Sequence, residues 1–119
     1  MGKRILVVDD DQDICEVLLA ILESESYEVE VANDGTHALA KMETGLKPDL
    51  ILLDMMMPHM DGFTFVREIQ QRGLRTSIPI VLLSAHVRSA EQIRQMDLEG
   101  FISKPFDVST ILDTIDTLI

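Results

Sequence analysis

Three runs of four residues contain no polar side chain: Ile5-Leu6-Val7-Val8, Leu50-Ile51-Leu52-Leu53 and Ile80-Val81-Leu82-Leu83. A short apolar run without alternation marks a strand buried on both faces, the signature of a parallel sheet covered by helices. Amphipathic stretches separate these runs. Between Asp13 and Glu25, Ile14, Val17, Leu18, Ile21 and Leu22 fall at helical spacing. Glu28 to Ala32 alternates through Val29 and Val31, as an edge strand does, and Asp34-Gly35 then breaks the chain before a modest helix through Ala38, Leu39 and Met42. Phe63, Val66 and Ile69 predict a third helix capped by Asp61. Ile93 and Met96 alone anchor a fourth, which is expected to be short, and Phe101-Ile102-Ser103 makes a fifth strand. Val108, Ile111, Leu112, Ile115 and Leu118, behind an Asp107 cap, carry the clearest period of all. Five strand–helix alternations predict a doubly wound α/β fold, and 119 residues suit a single domain spanning 1–119.

Charge narrows the chemistry. Ten Lys and Arg stand against 21 Asp and Glu, a formal net charge of −11. A nucleic-acid binder needs a surplus of cations to displace counterions from phosphates, so direct nucleic-acid binding is not expected. The same Coulomb argument disfavours an anionic membrane surface, and no apolar run approaches the roughly 20 residues that span a bilayer. A lone cysteine, Cys15, and a start without signal-peptide design fit a cytoplasmic protein.

In doubly wound sheets ligands bind beyond the C-terminal ends of the strands. Asp9, Asp10, Asp11 and Asp13 follow the first strand, Asp54 the third, Ser84 the fourth and Lys104 the fifth. If strands one and three are neighbours, Asp9, Asp10 and Asp54 converge. Two carboxylates about 4 Å apart repel by roughly 4 kcal/mol at an effective dielectric of 20, so one is protonated or a cation is bound. An all-oxygen, partly solvated cluster suits Mg²⁺. An EF-hand is excluded: Asp9, Asp11 and Asp13 match its first ligand positions, but Ile14 and Ala20 stand where it needs Gly and Glu. Taken singly, each group has a bland reading: a solvated acidic loop, a turn cap at Asp54, a strand-end hydroxyl at Ser84, a snorkelling stem at Lys104, which aimed inward would instead neutralise a phosphoryl or carboxylate group.

The ordered set Ile5-Leu6-Val7-Val8-Asp9-Asp10, Pro48-Asp49-Leu50-Ile51-Leu52-Leu53-Asp54, Met57-Pro58 with Met60-Asp61-Gly62, Leu83-Ser84-Ala85 and Lys104-Pro105-Phe106 resembles the receiver domain of bacterial two-component response regulators, of the chemotaxis-regulator type. The resemblance implies a flavodoxin-like (βα)5 domain with a parallel five-stranded sheet of order 2-1-3-4-5. It implies that Asp54 accepts a phosphoryl group from a histidine kinase, a phosphotransfer protein or a small phosphodonor. Mg²⁺ would be held by Asp10 with Asp9, Asp54 and the backbone carbonyl of Met56. Ser84 and Lys104 would stabilise the phosphoryl group, and Phe101 would turn inward as Ser84 moves. A cis Lys104-Pro105 bond is expected. Met56 and His86 would flank the phosphoryl group and influence its lifetime. Such a domain catalyses only its own phosphorylation and dephosphorylation, and it presents a switched surface to a downstream effector domain or protein, as a monomer or a weak phosphorylation-dependent dimer.

Two features depart from the family pattern. The segment from Ser84 to Lys104 is a couple of residues short, and Asp97-Leu98-Glu99-Gly100 replaces the common Gly-Ala before the fifth strand. Between Arg67 and Arg94, five basic residues (67, 72, 75, 88, 94) outnumber the acids at 68 and 91, a solvated face or a partner patch. A small Mg²⁺-dependent phosphatase or phosphotransferase is the competing class. It would need a second carboxylate two residues after Asp54, where Met56 stands, and usually a cap domain. A phosphorylation-independent interaction module is a third reading, opposed by the complete set of site residues.

Overall fold

The computed structural model describes residues 2–75, 77–85 and 90–119. Its elements alternate throughout: β1 (Arg4–Val8), α1 (Gln12–Ser24), β2 (Glu28–Ala32), α2 (Gly35–Glu43), β3 (Leu50–Asp54), α3 (Gly62–Gln71), β4 (Ile80–Ser84), α4 (Ala90–Met96), β5 (Gly100–Ser103) and α5 (Val108–Leu118). The five strands are parallel in the order β2-β1-β3-β4-β5.

Period two divides each central strand between two cores. Ile5 and Val7, Leu50 and Leu52, Val81 and Leu83 point to the layer of α1 and α5, where Cys15, Leu18, Leu22, Ile111 and Ile115 meet them. Leu6 and Val8, Ile51 and Leu53, Ile80 and Leu82 point to α2, α3 and α4, against Leu39, Met42, Phe65, Val66, Ile69 and Met96. That is why these runs carry no polar residue: neither face meets water.

Aspartates start four of the helices by accepting N–H bonds of the first turn. Asp11 takes those of Asp13 and Ile14, Asp34 that of His37, Asp61 that of Thr64 and Asp107 that of Thr110. Part of the acid excess is therefore local helix chemistry. Val17 does not join the predicted stripe; α1 packs through Cys15, Leu18 and Leu22, and Val17 lies well round the helix from all three, half exposed. Val108 is likewise exposed at the first position of α5, whose buried stripe begins at Ile111. α4 is short as expected, with Met96 buried and Ile93 half-buried.

Three of the four described arginines of the basic segment are ion-paired. Arg72 pairs with Glu43 and Glu68, and Arg94 with Glu91. Arg75 does more. Its guanidinium donates to the carbonyls of Met96 and Asp97 at 2.6 Å each and pairs with Glu99 at 2.9 Å, while Glu99 accepts the Ile80 N–H at 2.7 Å. This strut ties the end of α4 and the entry to β5 to the start of β4. Glu99, one of the departures from the family pattern, is its acidic half.

The Arg75 side chain is only 7% exposed, whereas Glu99 is 36% exposed, and removing a buried guanidinium strands the carbonyls it served. Arg75→Met is expected to lower the unfolding free energy by about 2–3 kcal/mol in urea titrations. Arg72→Met, with a solvated guanidinium, is expected to leave the midpoint unchanged. Equal effects would contradict the strut.

Candidate functional site

The sheet register assembles the site. Val8 is level with Leu53, Asp54 with Leu83, and Ser84 with Ser103, so the chain leaves β1, β3, β4 and β5 along one edge. The ladder continues one step further, since Asp9 N–H donates to Ala32 O at 3.1 Å and Lys104 N–H to Ser84 O at 3.0 Å. Asp9 follows the parity of Ile5 and Val7, Asp54 that of Leu50 and Leu52, and Lys104 that of Ile102. All three therefore leave the sheet on the α1/α5 side. Ser84 has the opposite parity and comes from the α3/α4 side.

The Lys104 ammonium donates to Asp9 Oδ2 and to Asp54 Oδ1, both at 3.1 Å. Asp9 is fully buried, Asp54 nearly so and Ser84 buried, whereas Asp10 is exposed. Oxygens of Asp9, Asp10 and Asp54 lie within 4.8 Å of one another. The predicted convergence is thus present, with one addition: the countercharge at Asp9 and Asp54 is the protein's own lysine. The second Asp9 oxygen accepts the Asp11 N–H at 2.9 Å, and the Asp9 carbonyl accepts the Cys15 thiol at 3.3 Å. Burial first, then the charges of Asp9, Asp11 and Asp10, push that thiol up to about 11, so it stays protonated.

Asp54 is pushed up to about 6, by burial first and the Asp9 charge second, against the pull of Lys104 and of the Met56 N–H. At neutral pH it is mostly ionised. Burial lowers the affinity of Lys104 for its proton, but the hydrogen bond and charge of Asp9, then Asp54, outweigh this and raise it. Three carboxylates against one ammonium leave two negative charges uncompensated. That excess equals the charge of one divalent cation, and a donor set made only of oxygen suits a hard one. The residues fit Mg²⁺.

Met56, two residues beyond Asp54, is 45% exposed, and Phe101, level with Leu82 two positions before the edge, is 40% exposed. The Lys104-Pro105 peptide is cis. A hollow of about 380 Å³ flanks the lysine stem, lined by Ile14, Ala85, Lys104, Pro105 and Phe106. His86 lies outside the described residues.

The family model of the response regulator receiver domain matches residues 5–116. The chain belongs to this family. Among curated relatives, the receiver chain is 43% identical over 109 residues to response regulator PleD of Caulobacter vibrioides, covering 90% of itself and 24% of PleD. It is 40% identical over 108 residues to the alkaline phosphatase synthesis transcriptional regulatory protein PhoP of Bacillus subtilis, covering 89% of itself and 44% of that protein. The receiver spans about half or less of the length of these relatives. Among solved structures, chemotaxis protein CheY4 of Vibrio cholerae superposes with a TM-score of 0.91 at 30% identity, over 100% of both chains. The receiver domain of sensor histidine kinase PA1611 of Pseudomonas aeruginosa gives 0.88 at 28% identity, over 99% and 98%, and in that crystal structure a magnesium ion is coordinated in the active site cleft.

In the metal-free receiver, Asp54 ionises less readily folded than unfolded, since its folded value near 6 exceeds the ordinary 3.8. The folded state then holds more protons between these values, so this group's contribution to stability falls as pH rises from about 4 to 6. Asp54→Asn in a chelator is expected to raise unfolding free energy at pH 7 by about 1–3 kcal/mol and to add little at pH 4. A variant no more stable than the parent at pH 7 would contradict the buried-charge account.

Proposed function

We propose that residues 1–119 act as one phosphoryl-accepting switch with Asp54 as the acceptor. The observation that carries this reading is the Lys104 ammonium bridging Asp9 and Asp54 beside a third carboxylate, Asp10. A buried carboxylate held beside an ammonium group is a nucleophile with part of its charge compensation already in place. Mg²⁺, held by Asp9, Asp10, Asp54 and the Met56 carbonyl, would neutralise charge on the phosphoryl oxygens. Asp54 attacks phosphorus in line, the new O–P bond forming as the donor's bond to phosphorus breaks. Lys104 passes from the carboxylate to a phosphoryl oxygen, and the Ser84 hydroxyl donates to another.

The acyl phosphate carries nearly two charges, which draw Ser84 and the following loop toward it. Phe101, on the far side of β5 from the Ile102 core position, turns inward as Ser84 moves. The surface around β5, α4 and α5 then changes for a downstream effector domain or protein. The donor is a sensor histidine kinase, a phosphotransfer protein or a small phosphodonor. The domain turns over only its own phosphoryl group and works as a monomer or a weak phosphorylation-dependent dimer. No described helix is long and apolar enough to cross a membrane, which agrees with a cytoplasmic location. Several relatives are named as transcriptional regulators; the charge of −11 supports a receiver that leaves any nucleic-acid contact to other parts of such proteins.

Acetyl phosphate with Mg²⁺ is expected to add about 80 Da, one phosphoryl group, to the parent and nothing to Asp54→Asn. An adduct that survives Asp54→Asn would overturn the assignment. The exposed thioether of Met56 hinders the approach of water to the phosphoryl group. Met56→Asn is expected to speed hydrolysis by about tenfold, a barrier change of about 1.4 kcal/mol. An unchanged rate would remove Met56 from the account.

A further inference from the structure

Six of the seven methionines lie in the described residues, and their environments differ sharply. Met42, Met55, Met57 and Met96 are buried, and Met60 is half-buried against the α2/α3 core. Met56 alone among these six is exposed, at 45%. It stands two residues beyond Asp54, and its N–H is near enough to that carboxylate to lower the carboxylate's affinity for a proton. An exposed, oxidisable side chain thus follows closely on Asp54, while Met55 and Met57 on either side of it are buried. Among the described residues the remaining sulfur is that of Cys15, which is 5% exposed with its S–H given to the Asp9 carbonyl.

We propose that Met56 is a peroxide-reactive modification site, and that its sulfoxide shortens the life of the phosphoryl group on Asp54. The second half rests on the acceptor reading above. The step balances with a hydroperoxide as oxidant. A lone pair of Sδ attacks the distal peroxide oxygen, the S–O bond forms as the O–O bond breaks, and the proton on the attacked oxygen moves to the departing oxygen. Sulfur loses two electrons, and hydrogen peroxide leaves as water. Susceptibility follows exposure, and the sulfoxide is reducible by methionine sulfoxide reductases, so the change is reversible. An apolar group becomes a polar acceptor. Where Met56 excluded water from the acidic edge, the S=O oxygen accepts a hydrogen bond from water and holds it beside the phosphoryl group.

The test has two readouts on the full chain. Under limiting hydrogen peroxide, fragment sequencing by mass spectrometry is expected to show about 16 Da, one oxygen, on Met56 about tenfold sooner than on Met42, Met55, Met57, Met60 or Met96. Oxidised and untreated protein are then loaded with acetyl phosphate and Mg²⁺, and the loss of the phosphoryl mass is followed. Oxidation is expected to shorten its half-life about threefold or more in the parent, and to leave the half-life of Met56→Leu where it was before peroxide. Oxidation of Met56 no faster than Met60, or equal half-lives before and after treatment, overturns the proposal. A chain that takes no phosphoryl group before treatment overturns the acceptor reading and the lifetime claim with it, while the relative oxidation rates still decide whether Met56 is the reactive site.

Discussion

One ammonium group shared between two buried carboxylates holds the site together. Asp9 and Asp54 lie at the ends of neighbouring strands, where their mutual repulsion would force one of them to keep a proton. Lys104, arriving from the end of β5, offsets that repulsion by placing its Nζ 3.1 Å from an oxygen of each. The arrangement is a compromise. Asp54 is still held well above the ordinary carboxylate range, so the site stores an unmet demand for positive charge. In the proposed switch a divalent cation and the oxygens of a phosphoryl group would meet that demand.

The sheet makes this possible because it is buried on both faces. Alternation sends successive residues of β1, β3 and β4 into two separate cores, which fixes the register, since a slip of one residue would exchange the faces. With register fixed, Asp9, Asp54 and Lys104 leave on one side of the sheet and Ser84 on the other. The strand that carries Asp54 is thus flanked by its countercharge and by a hydroxyl from opposite faces.

Most of this was legible in the chain. The three uninterrupted apolar runs, the aspartate caps and the acids at the strand ends needed only periodicity and charge to be read. For Lys104 the sequence offered a snorkelling stem or a point charge facing a phosphoryl or carboxylate group, and which carboxylates it meets follows only from the parity of residues 9, 54 and 104 in the observed register. The exposure of Val17 was not legible, because a helical period gives the width of a stripe and not the direction in which tertiary packing rotates it. Nor was the fate of the basic segment. Its neutralising partners Glu43 and Glu99 lie far away or in another loop, so a window of sequence counts the cations without the acids that meet them.

The claim on which the rest depends is that the carboxylate facing Lys104 is the one that bonds to phosphorus. Borohydride reduces an acyl phosphate of aspartate to homoserine, which marks the acceptor covalently. Protein loaded with acetyl phosphate and Mg²⁺, reduced and fragmented, is expected to carry homoserine at position 54 and unchanged aspartate at positions 9 and 10. Homoserine at position 9 or 10, or none at all in protein that has gained the phosphoryl mass, would contradict the account.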